Sequence, residues 1–135
     1  MIKLHSKKIE TAGETIWMDH FGIIHSDVKP VFLELEHAKE AIKTISVLAN
    51  GKKTPVVINM KNAIGTSNSA RNYYSGEQSA AVISAAAMII SSPLSKILGN
   101  FYLGLNKPLF PFKLFTNEEK AIIWLDQYIK KSNIA

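Results

Sequence analysis

The first third of the chain passes from an alternating hydrophobic pattern to a helical one. Residues 14–19 alternate as a half-buried strand does, and residues 23–28 repeat this less cleanly after the turn residues His20-Phe21-Gly22. From Leu35 to Ala49, apolar residues recur at three- and four-residue steps, and Asn50-Gly51 then provides a helix stop. This region therefore predicts an antiparallel hairpin followed by an amphipathic helix.

The remainder alternates short apolar runs with helical patterns. Residues 55–60, 85–90 and 112–115 each predict a buried strand, although the alanines of the second run leave open a helix over its first half. Helix starts are predicted at Ser67-Asn68-Ser69, at Ser92-Pro93, and at Thr116-Asn117-Glu118-Glu119, a capping box with Thr116 as the cap. The order β-β-α-β-α-β-α-β-α predicts an α/β fold, in which a hairpin precedes a mostly parallel, mixed sheet covered by helices.

Length and composition limit the class of protein. The 135 residues suit a single domain, 1–135, and 47% of them are hydrophobic, as in an ordinary globular protein. There is no cysteine, which excludes disulfides and thiolate chemistry. The longest weakly polar run, residues 80–90, is too short to span a bilayer, and residues 1–5 lack the apolar core of a signal peptide. We therefore expect a cytoplasmic protein with no membrane association.

The positive charge does not indicate a nucleic-acid partner. The net charge is +5, but Arg71 is the only arginine among sixteen basic residues. The lysines are scattered rather than clustered and interleaved with aromatic side chains, as a nucleic-acid surface usually requires. A solvated lysine-rich surface is the expected role, with weak attraction to an acidic partner surface as the alternative.

Catalytic and metal motifs are scarce. All four histidines lie in the first 37 residues without helical ligand spacing, although His20 and His25 flank the hairpin turn and could face each other. No Gly-x-Ser-x-Gly and no Gly-x-Gly-x-x-Gly sequence occurs. We therefore predict no metal site and no cofactor. An enzyme is less favoured than a protein-binding module or a binder of a small apolar ligand.

The serine-rich start of the second helix is the most informative local feature. A phosphate on a hydroxyl at this position would be stabilised by free backbone N–H groups and by the helix dipole. Ser69 is the candidate switch residue. The alternative is that Ser67 or Ser69 only caps the helix.

The element order and this segment together resemble the STAS domain, which occurs in bacterial anti-sigma-factor antagonists and in sulfate-transporter tails. In the antagonists a buried strand leads to an Asp-Ser-Ser-Gly motif at the start of the second helix, and a partner kinase phosphorylates its second serine. Here Val57-Ile58-Asn59-Met60 matches the strand, and Ser67-Asn68-Ser69-Ala70 takes the place of the motif. The resemblance implies Ser69 as the phosphorylated residue, although only this one of the four motif positions is kept.

A second resemblance covers nearly the whole chain. Its markers are Ser92-Pro93, Gly99-Asn100-Phe101, Asn106-Lys107-Pro108, Leu114-Phe115, Ala121 and Trp124-Leu125. They look like the signature of a bacterial family of small STAS-like proteins of unknown function. Each marker also has a purely structural interpretation, such as close helix packing at Gly99.

The sequence therefore predicts two alternative functions. The first is a non-enzymatic regulatory module that binds an unidentified protein through the second helix, with homo-oligomerisation also open. Its contact residues would be Ser67, Asn68, Arg71, Asn72, Tyr73 and Tyr74, since tyrosine and arginine dominate binding hot spots. The second is a binder of a small apolar, lipid-like ligand, contacted by Phe101, Tyr102, Leu105 and Phe110, which could equally form a subunit contact.

Overall fold

The computed structural model describes residues 7–91 and 107–134. Its strands are β1 (Ile9–Glu10), β2 (Glu14–Met18), β3 (Ile24–Val28), β4 (Phe32–Leu33), β5 (Thr54–Asn59), β6 (Gly65–Thr66), β7 (Ile83–Ile89) and β8 (Phe112–Phe115). Its helices are α1 (Leu35–Leu48), α2 (Asn68–Ser75), α3 (Glu77–Ala80) and α4 (Glu118–Ile134). The helix predicted from Ser92-Pro93 lies outside the described residues.

Six of these strands form one mixed sheet, which confirms the predicted fold class. Its strand order is β1-β2-β3-β5-β7-β8. The strands β1, β2 and β3 pair antiparallel, whereas β3, β5, β7 and β8 pair parallel. The predicted hairpin is therefore present at one end of a parallel sheet. The run predicted as a strand over 85–90 lies in β7, which begins two residues earlier, so its first half is strand and not helix.

The two faces of the sheet are covered by different helices. On one face Ile16, Ile24 and Val56 pack against Ala41, Ile42 and Ile45 of α1, and α2 packs beside α1. On the other face Val57, Ala85 and Ala87 pack against Ala121 and Leu125 of α4. Because successive residues of a strand point to opposite faces, neighbouring positions such as Val56 and Val57 serve different cores.

The structure also corrects the predicted cap of the last helix. The backbone N–H of Lys120 donates to Asn117 Oδ1 at 3.0 Å, and that of Ala121 donates to the Asn117 carbonyl at 3.2 Å. Asn117 is therefore the N-cap, one residue after the predicted Thr116. The two are adjacent and both residue types cap helices well, so local sequence alone did not separate them.

A short parallel ribbon joins the starts of α1 and α2. In this ribbon β4 pairs with β6, and Phe32 lies opposite Gly65. A Cβ added at Gly65 would lie 2.9 Å from the Phe32 ring, so the absence of a side chain there lets the ring pack on the backbone. The Ser67 N–H also donates to the Leu33 carbonyl at 2.9 Å, which ties the start of α2 to the start of α1.

Among the described residues, no helix has the length and apolar character needed to cross a membrane.

Candidate functional site

A partly enclosed cavity of about 270 Å³ lies between the sheet and the helices α1 and α2. It extends from the β4–β6 ribbon, at Phe32 and Gly65, to Ile83 at the start of β7. The ribbon follows the carboxyl ends of β3 and β5, and Ile83 lies at the opposite end of the strands. The cavity therefore runs along the sheet, and it reaches the strand ends at which open α/β sheets usually bind ligands.

The walls of the cavity are mainly apolar. The sheet contributes Val28, Ile58, Ala86 and Met88, and α1 contributes Ile42 and Ile45. The segment before β8 adds Pro108 and Phe110, which places one of the four predicted apolar-ligand residues on the cavity. Phe101, Tyr102 and Leu105 lie outside the described residues. The small side chain of Ala86 leaves space at the centre of this wall.

One part of the cavity wall is polar and is built from three separate elements. Glu14 at the start of β2, Ser26 of β3 and Tyr74 of α2 meet there. The Tyr74 hydroxyl donates to Glu14 Oε2 at 2.6 Å, and the Ser26 hydroxyl donates to Glu14 Oε1. Glu14 is only 3% exposed and Ser26 only 1%. A hydrogen-bonded carboxyl group is therefore buried beside a mainly apolar space.

The surroundings of this carboxyl group favour its neutral form. Burial raises the pKa of Glu14 above its ordinary value, and the hydrogen bonds from Ser26 and Tyr74 offset part of that rise. Electrostatic interaction with His37 of α1 lowers the pKa of Glu14, whereas interaction with Glu40 of the same helix raises it. Burial and the neighbouring Glu14 also raise the pKa of Tyr74, so its hydroxyl stays protonated and donates.

The position of Glu14 follows from strand geometry. It has the same parity along β2 as Ile16, and Ile16 is fully buried on the face covered by α1. The start of the strand is held by Thr11, whose hydroxyl accepts from the Glu14 N–H at 2.9 Å. The sequence analysis did not identify Glu14 as a site residue, although its shared parity with Ile16 was a signal that could have found it.

The start of α2 lies next to the cavity. Ser67 is the N-cap, because its Oγ accepts from the Ala70 N–H at 3.1 Å. Ser69 is exposed, and its Oγ lies 3.3 Å from Ser67 Oγ. Arg71 donates to the Thr66 carbonyl and to Asn68 Oδ1, and its side chain lines the cavity. Ser67 is thus the capping serine, and Ser69 is the exposed one.

The remaining predicted contact residues of α2 face different environments. Asn68 and Asn72 are exposed, whereas Tyr73 and Tyr74 are half-buried against the core on the α1 side. Tyr74 directs its hydroxyl toward the sheet, where it meets Glu14. Of the six predicted contact residues, only Asn68 and Asn72 are therefore exposed.

A second polar cluster lies on the opposite face of the sheet. His25 Nε2 is 2.8 Å from Asp19 Oδ2, and the His25 ring stacks on Trp17 with 5.1 Å between the ring centroids. Burial raises the pKa of Asp19, but the hydrogen bond from His25 and those from the backbone of Ile23 and Phe21 outweigh it and lower the pKa below its ordinary value. His25 thus faces Asp19 rather than His20, whose ring contacts Phe21. In the described part of the chain, no three potential metal ligands come together.

The fold is that of the STAS-like anti-sigma-factor antagonists. The anti-sigma factor antagonist SpoIIAA in its unphosphorylated form superposes with a TM-score of 0.58 and 15% sequence identity, over 83% of this chain and 96% of that one. An uncharacterised SpoIIAA-like protein of the DUF3478 family from Shewanella loihica PV-4 gives a TM-score of 0.50 and 15% identity, over 93% of this chain and 98% of that one. At this identity the likeness shows the fold alone.

The chain belongs to the family described as a domain of unknown function, DUF7793, whose model matches residues 16–129. No curated protein matches the sequence.

Proposed function

We propose that this protein is a non-enzymatic binding module of the bacterial cytoplasm and that its cavity takes a small, largely apolar molecule. The observation that carries the proposal is the cavity itself, which combines apolar walls with one buried polar cluster. Ligand sites in proteins have this composition: mostly hydrophobic lining with a few placed polar groups that orient the ligand. No catalytic constellation is needed for such a role.

The size of the cavity defines the size of the ligand. An apolar cavity of about 150 Å³ accommodates benzene. The volume here, about 270 Å³, is nearly twice as large and therefore suits a molecule of about ten non-hydrogen atoms. A linear ten-carbon chain such as that of 1-decanol is a suitable first probe.

Filling the cavity should abolish binding. Ala86 is 1% exposed and lines the cavity at the centre of β7, so Ala86→Leu places a larger apolar side chain in the empty volume. We expect the affinity for 1-decanol to fall by about tenfold or more, with thermal stability kept or raised. Isothermal titration calorimetry measures the affinity, and the exposed Ala81→Leu is the matched control. Equal affinity in Ala86→Leu and wild type would contradict the proposal, and Ala86→Val provides a smaller step if leucine overpacks the core.

A second proposed function is binding of a protein partner through the start of α2. It is supported by the exposure of Asn68, Ser69 and Asn72 on one short helix and by the fold shared with SpoIIAA, an anti-sigma factor antagonist. In this role Ser69 is the switch residue, and a phosphate there would lie close to the N–H groups at the helix start. Arg71, Tyr73 and Tyr74 would then support this surface from its buried side.

Phosphorylation of Ser69 is directly testable. In protein isolated from its own host, we expect a phosphate-sized mass increment that maps to Ser69 and is absent from Ser67, because the Ser67 hydroxyl is engaged as the helix cap. Intact mass spectrometry under native conditions followed by peptide mapping makes the measurement. An unmodified Ser69 across growth and stress conditions would remove it from the mechanism, and its role would be limited to the helix start.

A further inference from the structure

The polar cluster of the cavity has an unusual electrostatic character. Glu14 is buried, and its two side-chain hydrogen bonds come from the neutral hydroxyls of Ser26 and Tyr74. Among the described residues, no lysine or arginine forms an ion pair with it. Buried carboxylates in proteins are normally paired with a cation, because an unpaired buried charge is costly. The cavity therefore borders a buried carboxyl group whose ionised form lacks a lysine or arginine partner in this part of the chain.

The carboxyl group also retains capacity to accept hydrogen bonds. An ionised carboxylate has about four lone-pair positions, and the two hydroxyl donors occupy one on each oxygen. Because Glu14 lines the cavity, a ligand in that space can approach the remaining positions. A head group that donates hydrogen bonds and is positively charged would satisfy both the unused acceptor capacity and the missing charge.

We infer that the cavity selects an amphipathic amine, with the ammonium group bound at Glu14 and the hydrocarbon chain lying along the apolar wall formed by Ile58, Ala86 and Met88. This inference rests on the proposed ligand-binding function and adds the chemical class of the ligand. The neutral hydroxyls of Ser26 and Tyr74 hold the carboxyl group in place without neutralising it.

Arg71 provides the competing arrangement. Its side chain also lines the cavity and would attract a carboxylate rather than an ammonium group. Its guanidinium, however, already donates to the Thr66 carbonyl and to Asn68 Oδ1 at the start of α2. A carboxylate ligand at Arg71 would compete with these bonds and place a negative head group in the same cavity as Glu14. The arrangement of Glu14 therefore favours the amine.

Three ligands with the same ten-carbon chain and different head groups test the inference: decylamine, 1-decanol and decanoate. We expect decylamine to bind most tightly and decanoate at least about tenfold more weakly. Calorimetry in two buffers of different ionisation enthalpy should also show proton release on binding of decylamine. An ammonium group at Glu14 lowers the raised pKa of the carboxyl, so the fraction that was protonated loses its proton.

Variants assign the preference to Glu14. In Glu14→Gln the affinity for decylamine should fall by about tenfold or more, while the affinity for 1-decanol changes by less than about threefold. Thr66→Val, which removes a different polar group from the cavity lining, should keep the wild-type order. Equal or tighter binding of decanoate than of decylamine by wild type would overturn the inference and leave the ligand-binding function standing. Failure of all three ligands to bind would instead overturn the ligand-binding function.

Discussion

We expect the free energy of unfolding of the Tyr74→Phe variant to be about 2 kcal/mol lower than that of wild type at neutral pH. The lost hydroxyl donates to a buried carboxyl group at 2.6 Å, and removing it leaves Glu14, only 3% exposed, with one hydrogen-bond donor fewer. The bond also connects residues 60 positions apart and fastens α2 to the sheet. Denaturant unfolding monitored by circular dichroism measures the loss. Tyr73→Phe is the matched control, and we expect it to change stability by less than about 0.5 kcal/mol.

The size of this loss should depend on pH. Because the folded-state pKa of Glu14 is raised, its contribution to stability is complete below the unfolded-state value, 4.5, and is lost as pH rises through the folded-state value. The Tyr74 hydroxyl opposes that rise, since its hydrogen bond lowers the pKa of Glu14. The difference between wild type and Tyr74→Phe should therefore grow from acid to neutral pH. A difference that is constant over this range would contradict the link to ionisation of Glu14, and Glu14→Gln should abolish the dependence.

The Leu125→Ala variant is expected to lose about 3 kcal/mol of stability. Leu125 is fully buried between α4 and the face of the sheet that carries Val57 and Ala87, so alanine leaves a cavity there. Ile123→Ala on the same helix is the control, because Ile123 is 67% exposed and should cost little. Chemical denaturation compares the two variants.

Leu125→Ala should leave ligand selection unchanged, because the proposed cavity lies on the other face of the sheet. The order of affinity for the three ten-carbon ligands should therefore be that of wild type. Equal stability of Leu125→Ala and Ile123→Ala would contradict the packing of α4.

Most of the larger elements could be predicted because each has its own local pattern. The hairpin follows from alternation around Gly22, and α1 follows from its apolar spacing and from Asn50 and Gly51, which both adopt positive φ. The two-residue strands β1, β4 and β6 could not be predicted in this way, since a pair of residues has no period. Those strands depend on partners elsewhere in the chain.

The candidate site was less predictable than the fold. Tyr74 was selected as an α2 contact residue for its residue type, but its hydroxyl is directed to Glu14 on a distant strand. Helical spacing does not specify that pairing. Phe110 was selected as part of an apolar stretch and does line the cavity. Composition can indicate that a stretch has more apolar side chains than the core needs. Only the folded chain shows which polar group lies beside those side chains.

The positions of the two tryptophans determine what intrinsic fluorescence can report. Trp17 lies on the α4 side of the sheet against His25, and Trp124 of α4 contacts Phe115 and Tyr128. Neither residue lines the cavity beneath α1 and α2. Indole emission will therefore report on the side of the sheet that α4 covers, and it will respond little to the contents of the cavity. An optical titration of ligand requires a chromophore introduced on the other side of the sheet, and Phe112→Trp supplies one at the cavity wall.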